Sequence, residues 1–355
     1  MLTLWLVVAG VYGLFIGSFL NVVIWRLPRG GSVATPTWSY CPNCKHQLTA
    51  LDLFPMLSFL ALGAKCRYCR TPISWRYPGV ETLTGALFLL VTFFAYQRGG
   101  LWYDAVFECL FAALLVCVFF IDLEHFIIPD GLCVLGCLLG LAHGLVAGRF
   151  LDSLYGMLGY AAVLVLIGLV SYVVLVSLMD KRVPAGRATG EYLRDTVSDT
   201  VYVWTYSLGA ALPPLRRWAV VRWGEPAPVE TYTADDIQDD EDAGGMGMGD
   251  GKLAAAIGAN LGLSLALGSL GFAIFVGAVA GVIVIIRQRR RLGERTAIPF
   301  GPAMAVGALL ALFYGHPLAS WYVQTLLPPA AGNGGVAASQ SPPRPNSGEP
   351  ELGTR

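Results

Sequence analysis

Eight stretches of this chain are apolar over a length that suits a lipid bilayer. They fall at about 4–25, 79–96, 101–121, 131–148, 154–178, 252–268, 270–286 and 302–325. A transmembrane helix needs about 20 predominantly apolar residues. Inside lipid, backbone N–H and C=O groups find no water, so a spanning segment must satisfy them internally. The expected fold class is therefore all-α: a polytopic membrane protein with about eight transmembrane helices. Composition agrees, with 14% charged residues against about 25% in ordinary soluble domains. The first run is long enough to span, and no small-residue cleavage site follows it, so it reads as a helix and not as a cleaved signal. The expected partner is membrane lipid, and no nucleic acid is expected.

Lysine and arginine asymmetry orients the bundle, because cytoplasmic loops carry the excess of basic residues. Placing the loop after the first span on the cytoplasmic side puts twenty of the 24 basic residues there. The short loop at 287–295, with Arg287, Arg289, Arg290, Arg291 and Arg295, is the strongest indicator. Both termini then face outward. On this topology Asp122, at the end of the third span, and Asp250, at the start of the sixth, share the cytoplasmic membrane face.

The polar segments divide the chain further. Residues 1–25 form the first helix, and 26–78 a small cytoplasmic loop domain. Residues 79–179 carry helices two to five, and 180–245 form a cytoplasmic insertion. Within that insertion, residues 200–223 mix aromatic and basic side chains in a way that suits an interfacial element. The acidic run 235–242 reads as a solvated segment. Residues 246–325 hold helices six to eight. The tail from 326 is rich in Pro, Gly and Ser, which suits a disordered segment.

Eight cysteines fall into two sets. Cys109, Cys117, Cys133 and Cys137 lie inside apolar runs and read as small packing residues. Cys41, Cys44, Cys66 and Cys69 form two Cys-x-x-Cys pairs in the 26–78 loop, with 21 residues between the pairs. Two such knuckles match a tetrahedral four-cysteine zinc site. A reducing cytosol argues against disulfides, and a closed four-cysteine site implies structural zinc rather than a catalytic metal. Two redox-active pairs are the alternative.

Carboxylates at membrane-helix ends are costly and are commonly kept for function. Asp250 stands in Gly247-Met248-Gly249-Asp250-Gly251-Lys252, directly before an apolar helix. There the helix dipole favours negative charge, and the glycines permit close backbone approach. The plainer alternative is that Asp250 only caps its helix. Asp122 argues against that reading, since it stands at a helix C-terminal end, where the dipole disfavours an acid. Two adjacent carboxylates do not ionise together easily, so one keeps a proton. Such a pair can activate water and polarise a carbonyl. Of the neighbours, His125 reads as a polar surface residue and Asp130, after Pro129, as a cap.

Six blocks in order resemble the type IV prepilin peptidases, also called leader peptidase/N-methyltransferases. They are Gly17-Ser18-Phe19-Leu20-Asn21 through Arg26-Leu27-Pro28, the paired cysteine loop, Ile73 through Glu81, Asp122 through Pro129-Asp130, Gly247 through Lys252, and Pro299-Phe300-Gly301-Pro302. The resemblance spans residues 10 to 315 and implies a membrane aspartic endopeptidase with Asp122 and Asp250 as catalytic residues. It implies removal of the basic leader from prepilins and pseudopilins at the cytoplasmic face of the inner membrane. It also implies partnership with pilus or type II secretion assembly machinery. Because members with the cysteine loop are typically bifunctional, it further implies N-methylation of the new terminus with S-adenosylmethionine, whose binding residues the sequence does not name. The insertion 180–245 departs from the family pattern. The rivals are a peptidase without methylation, a zinc-stapled assembly platform, and an ion-coupled transporter, which would want its acids at the midplane.

Overall fold

A computed structural model describes residues 2–179, 248–288 and 299–326. The expectations for the insertion at 180–245, Gly247, the basic residues from Arg289 to Arg295 and the tail from 327 lie outside the described residues. The described residues up to His316 form one compact unit, and those from Pro317 to Leu326 fall in a second.

The bundle opens with α1 (Leu2–Arg26), followed by a 3-10 turn at Leu27–Arg29. A compact loop with one short helix, α2 (Leu57–Ala61), leads into α3 (Arg76–Gln97) and α4 (Trp102–His125). Then come α5 (Asp130–Val146), α6 (Phe150–Met179), α7 (Met248–Gln288) and α8 (Gly301–Leu326). Among the described residues, five helices are long and apolar enough to cross a membrane, with α5 and the first part of α8 as shorter apolar helices. The protein is a multi-pass membrane protein.

Small residues let these helices approach, as lipid-exposed bundles require when no hydrophobic drive separates helix from lipid. α1 crosses α3 at Gly13 and Gly17. A Cβ on Gly13 would stand 2.8 Å from the Gly85 Cα, and one on Gly17 would stand 2.7 Å from the Glu81 Cα. α6 and α7 meet at Gly156 and Gly258, where a Cβ on either would strike the other's carbonyl. Leu115, Ile121, Tyr160, Leu164, Leu253 and Ile257 fill the centre. Cys109, Cys117, Cys133 and Cys137 are all buried and unbridged, in their expected packing role.

The eight apolar runs are all helical, but the break between the sixth and seventh falls at Gly262, not near 268–270. Gly262 has φ 73° and ψ 166°, a conformation that glycine adopts without the steric cost of a Cβ. The chain reverses there. Before the break, Gly251 faces Val165 and Gly258 faces Gly156, so this half descends along α6. After it, Leu265 lies against Gly315, Ser269 against Gly307 and Gly277 near Ala303. The second half therefore returns antiparallel to α8. The sequence leaves Gly262 to Gly268 open between helix and turn, and the structure puts the corner at the first of these, where Asp152 at the start of α6 approaches closely.

Filling the α6–α7 contact should destabilise the bundle. Gly156→Val is expected to cost about 1–3 kcal/mol, the usual range for overpacking. Gly131→Ala, where an added Cβ meets nothing within 4 Å, should be neutral or stabilising by up to about 1 kcal/mol. Thermal unfolding of the purified protein in detergent measures both. Equal midpoints for the two variants would contradict the close approach.

Candidate active site and metal centre

Asp122 lies in the last turn of α4 and is 4% exposed. Its backbone carbonyl accepts the N–H of Phe126, the left-handed residue that ends the helix. The side chain is held by a different element. Gly301, the first residue of α8, donates its backbone N–H to the Asp122 carboxylate. An acid set against its own helix dipole thus sits at the favourable, positive end of another. A Cβ on Gly301 would fall 2.5 Å from Asp122 Oδ2, so this position tolerates only glycine without displacement. Pro302 follows at the start of the helix, where its missing N–H costs nothing. In the sequence, Gly301 stands only as one member of the Pro299-Phe300-Gly301-Pro302 block. The signal was a glycine directly before a helix-opening proline.

Asp250 lies in the first turn of α7 and is 8% exposed. Ile128, in the loop between α4 and α5, connects the two regions. Its Cβ lies 3.4 Å from where a Cβ on Gly249 would stand, and its Cδ1 3.2 Å from the equivalent point on Gly301. Asp122 and the start of α7 therefore share one end of the bundle and flank one isoleucine.

The neighbours take different parts from those expected. Asp130 does not cap α5, whose N-cap is Pro129 without a side-chain bond. Its Oδ1 instead accepts from Lys252 Nζ at 2.9 Å. Lys252 is thus committed to Asp130, and the pair ties the start of α5 to the start of α7. Glu124 binds Arg76 Nη1 through both oxygens, at 2.6 and 2.9 Å, which ties α4 to α3. His125 is partly buried, and its Nε2 has no hydrogen-bond partner among the described residues.

The cysteine loop is built as two matching turns. Cys41 N–H bonds the His46 carbonyl and Lys45 N–H the Cys41 carbonyl; Cys66 with Thr71, and Arg70 with Cys66, repeat the pattern. Single β-bridges close each turn, Tyr40 to Gln47 and Lys65 to Pro72. Lys45 and Arg70 both take φ of 58°. All four sulfurs lie within 4.8 Å of one another, and Cys41 and Cys69 Sγ stand 3.8 Å apart. A tetrahedron of Zn–S bonds near 2.3 Å has edges of about 3.8 Å, so the donor set suits a closed tetrahedral metal site. Hydrogen bonds from Thr71 and Asn43 pull the Cys69 thiol down to about 5.

Two charged residues brace this loop. Arg26, buried at the end of α1, donates to the carbonyls of Pro36 at 2.8 Å and Trp38 at 3.0 Å. Asp52 accepts from Arg67 Nε at 2.5 Å and from Thr49 N–H at 3.0 Å. Burial raises the Asp52 carboxyl, but Arg67 and Thr49 outweigh it and hold the group at about 2.

Under the loop lies a cavity of about 890 Å³. It is walled by α1, α3, the cysteine loop and the end of α4. Leu123 and Glu124, the two residues after Asp122, form part of its lining.

Two family profiles match this chain. The bacterial peptidase A24 N-terminal domain covers residues 11–95 and the type IV leader peptidase family covers 109–282. Among similar proteins, the prepilin leader peptidase/N-methyltransferase of Aeromonas salmonicida is 30% identical over 341 residues, 89% of this chain and 93% of that one. The protein of the same name from Bacillus subtilis is 27% identical over 89% of this chain and 97% of its own length. The Myxococcus xanthus protein of that name is 47% identical over 148 residues, which cover 41% of this chain and 43% of the relative. No solved structure matches.

The metal reading has a direct check. Metal-free protein titrated with cobalt(II) should develop thiolate charge-transfer absorption at one ion per chain. Cys69→Ser should weaken that binding more than roughly tenfold, whereas Cys117→Ser should leave it unchanged. Equal cobalt affinity in Cys69→Ser and the parent would contradict four-cysteine ligation.

Proposed function

The chain belongs to the type IV leader peptidase family, and from that premise we propose that it removes the leader from prepilins or pseudopilins and methylates the new N-terminus. Cleavage takes place at the cytoplasmic face of the inner membrane, which the basic asymmetry of the loops supports. Pilus or type II secretion assembly machinery receives the product. The observation that carries the reading is the shared bundle end of Asp122, held by Gly301, and Asp250, behind Gly249.

In this reading Asp122 and Asp250 work as a pair that shares one proton. The ionised member takes a proton from water as the water oxygen attacks the scissile carbonyl carbon. The protonated member hydrogen-bonds the carbonyl oxygen as charge develops there, then gives its proton to the leaving nitrogen as the C–N bond breaks. Gly301 positions Asp122, and the Lys252–Asp130 pair fixes the segment that carries Asp250. Both acids stand at helix ends, away from the midplane location that an ion-coupled carrier would need.

Zinc is the metal that the four sulfurs suit. It acts as a staple for the loop, since all four positions are filled by cysteine and none remains for substrate. S-adenosylmethionine, when bound, would supply an electrophilic methyl group for transfer to the new terminal amine. The amine must first lose its proton, so an acceptor is required near it.

Asp122→Asn and Asp250→Asn should each lower leader removal on the order of 10³-fold at unchanged protein level. Gly301→Ala should lower it roughly 10²-fold by displacing Asp122. Gel-shift assays of a purified prepilin measure this. Normal cleavage by either asparagine variant would refute the pair.

A further inference from the structure

The cavity beneath the cysteine loop contains polar groups that the fold itself does not satisfy. Asn21 lines it and is 3% exposed. Its amide donates to the Gly17 carbonyl at 3.3 Å and the Tyr77 carbonyl at 3.1 Å. Those two bonds fix the side chain and leave Oδ1 without a partner among the described residues. An orphaned buried acceptor costs about 1–3 kcal/mol and invites a donor from outside the chain.

Glu81 lines the same cavity and is 8% exposed. Its Oε2 accepts the Met56 N–H at 2.9 Å, and Ser18 also hydrogen-bonds the carboxylate. No basic side chain pairs with it among the described residues. An ionised carboxyl has about four acceptor positions, so this one retains capacity for a cation. Phe15, Phe19, Trp25 and Phe59 line the same cavity. Aromatic faces attract cations and cover flat ring systems. Acceptors, a carboxylate and aromatic walls together suit a ligand that is cationic at one end and aromatic at the other. The volume lies in the range of about 300–1,000 Å³ for small-molecule sites.

We propose that this cavity is the binding site for S-adenosylmethionine, with Asn21 Oδ1 and the Glu81 carboxylate accepting the N–H groups of its amino-acid end. The proposal rests on the methylation reading above and gives it a location. It also accounts for the contact between two activities. Leu123 and Glu124 line the cavity while Asp122, one residue earlier, belongs to the peptidase pair. A newly cut terminus would thus reach the methyl group without leaving the membrane surface. Arg76, paired with Glu124, belongs to the cavity wall as that end of α4 does.

The test is binding of S-adenosylhomocysteine, the demethylated product, to full-length zinc-loaded protein in detergent, read by calorimetry, with prepilin cleavage measured on the same samples. Glu81→Gln and Asn21→Leu should each weaken binding at least tenfold. Ser58→Phe, which places a ring in the cavity wall, should abolish it. All three should keep their zinc and cleave normally, which shows that they fold. A parent protein that binds the product, beside Glu81→Gln and Ser58→Phe variants of unchanged affinity, would overturn the location. A parent that cleaves but neither binds the product nor methylates would overturn the methylation reading itself.

Discussion

Asp122 is buried at the end of a helix whose dipole opposes its charge, and a second helix makes it tolerable there. The Gly301 N–H, at the opening of α8, supplies both a hydrogen bond and the favourable dipole end. Much else follows from that contact. The α7 hairpin must return along α8 to deliver Gly301 to Asp122, so its corner at Gly262 has to lie at the opposite end of the bundle. The first half of α7 then necessarily begins at the Asp122 end. Asp250 therefore starts at the same end of the bundle as Asp122.

Much of this arrangement was legible in the sequence, because its signals are local. Spanning length, the two Cys-x-x-Cys turns and the acids at helix ends are each written within a few adjacent residues. The limits have an equally physical origin. The break at Gly262 depends on contact with Asp152 and Gly156 of α6, so glycines within the same run looked equivalent. Asp130 read as a cap because a cap is what its own helix offers, and Lys252 became its partner only through the meeting of α5 with α7. Gly301 carried no chemistry of its own, and its importance comes from what a methyl group there would strike. Asn21 was visible only as part of a motif, since an unsatisfied acceptor is a property of three dimensions.

The cysteine loop links the two parts of the site. Arg26 and Asp52 hold it folded over α1 and α3, and the four sulfurs are already gathered to metal-binding distance. The cavity below exists because the loop roofs it. In the proposed function zinc is therefore connected to methylation through shape alone, as the staple of a roof. The end of α4 belongs to both compartments, with Asp122 facing α8 and its next two residues facing the cavity.

The central claim is that Asp122 and Asp250 stand close enough to act on one water. Cysteines placed at both positions, in a chain whose Cys109, Cys117, Cys133 and Cys137 are replaced by alanine and whose zinc cysteines stay metal-bound, test it directly. The account predicts that a short bifunctional thiol reagent joins the two within one chain, detectable by mass spectrometry of the digest. Full alkylation of both thiols by a monofunctional reagent, with no cross-link from the bifunctional one, would contradict it.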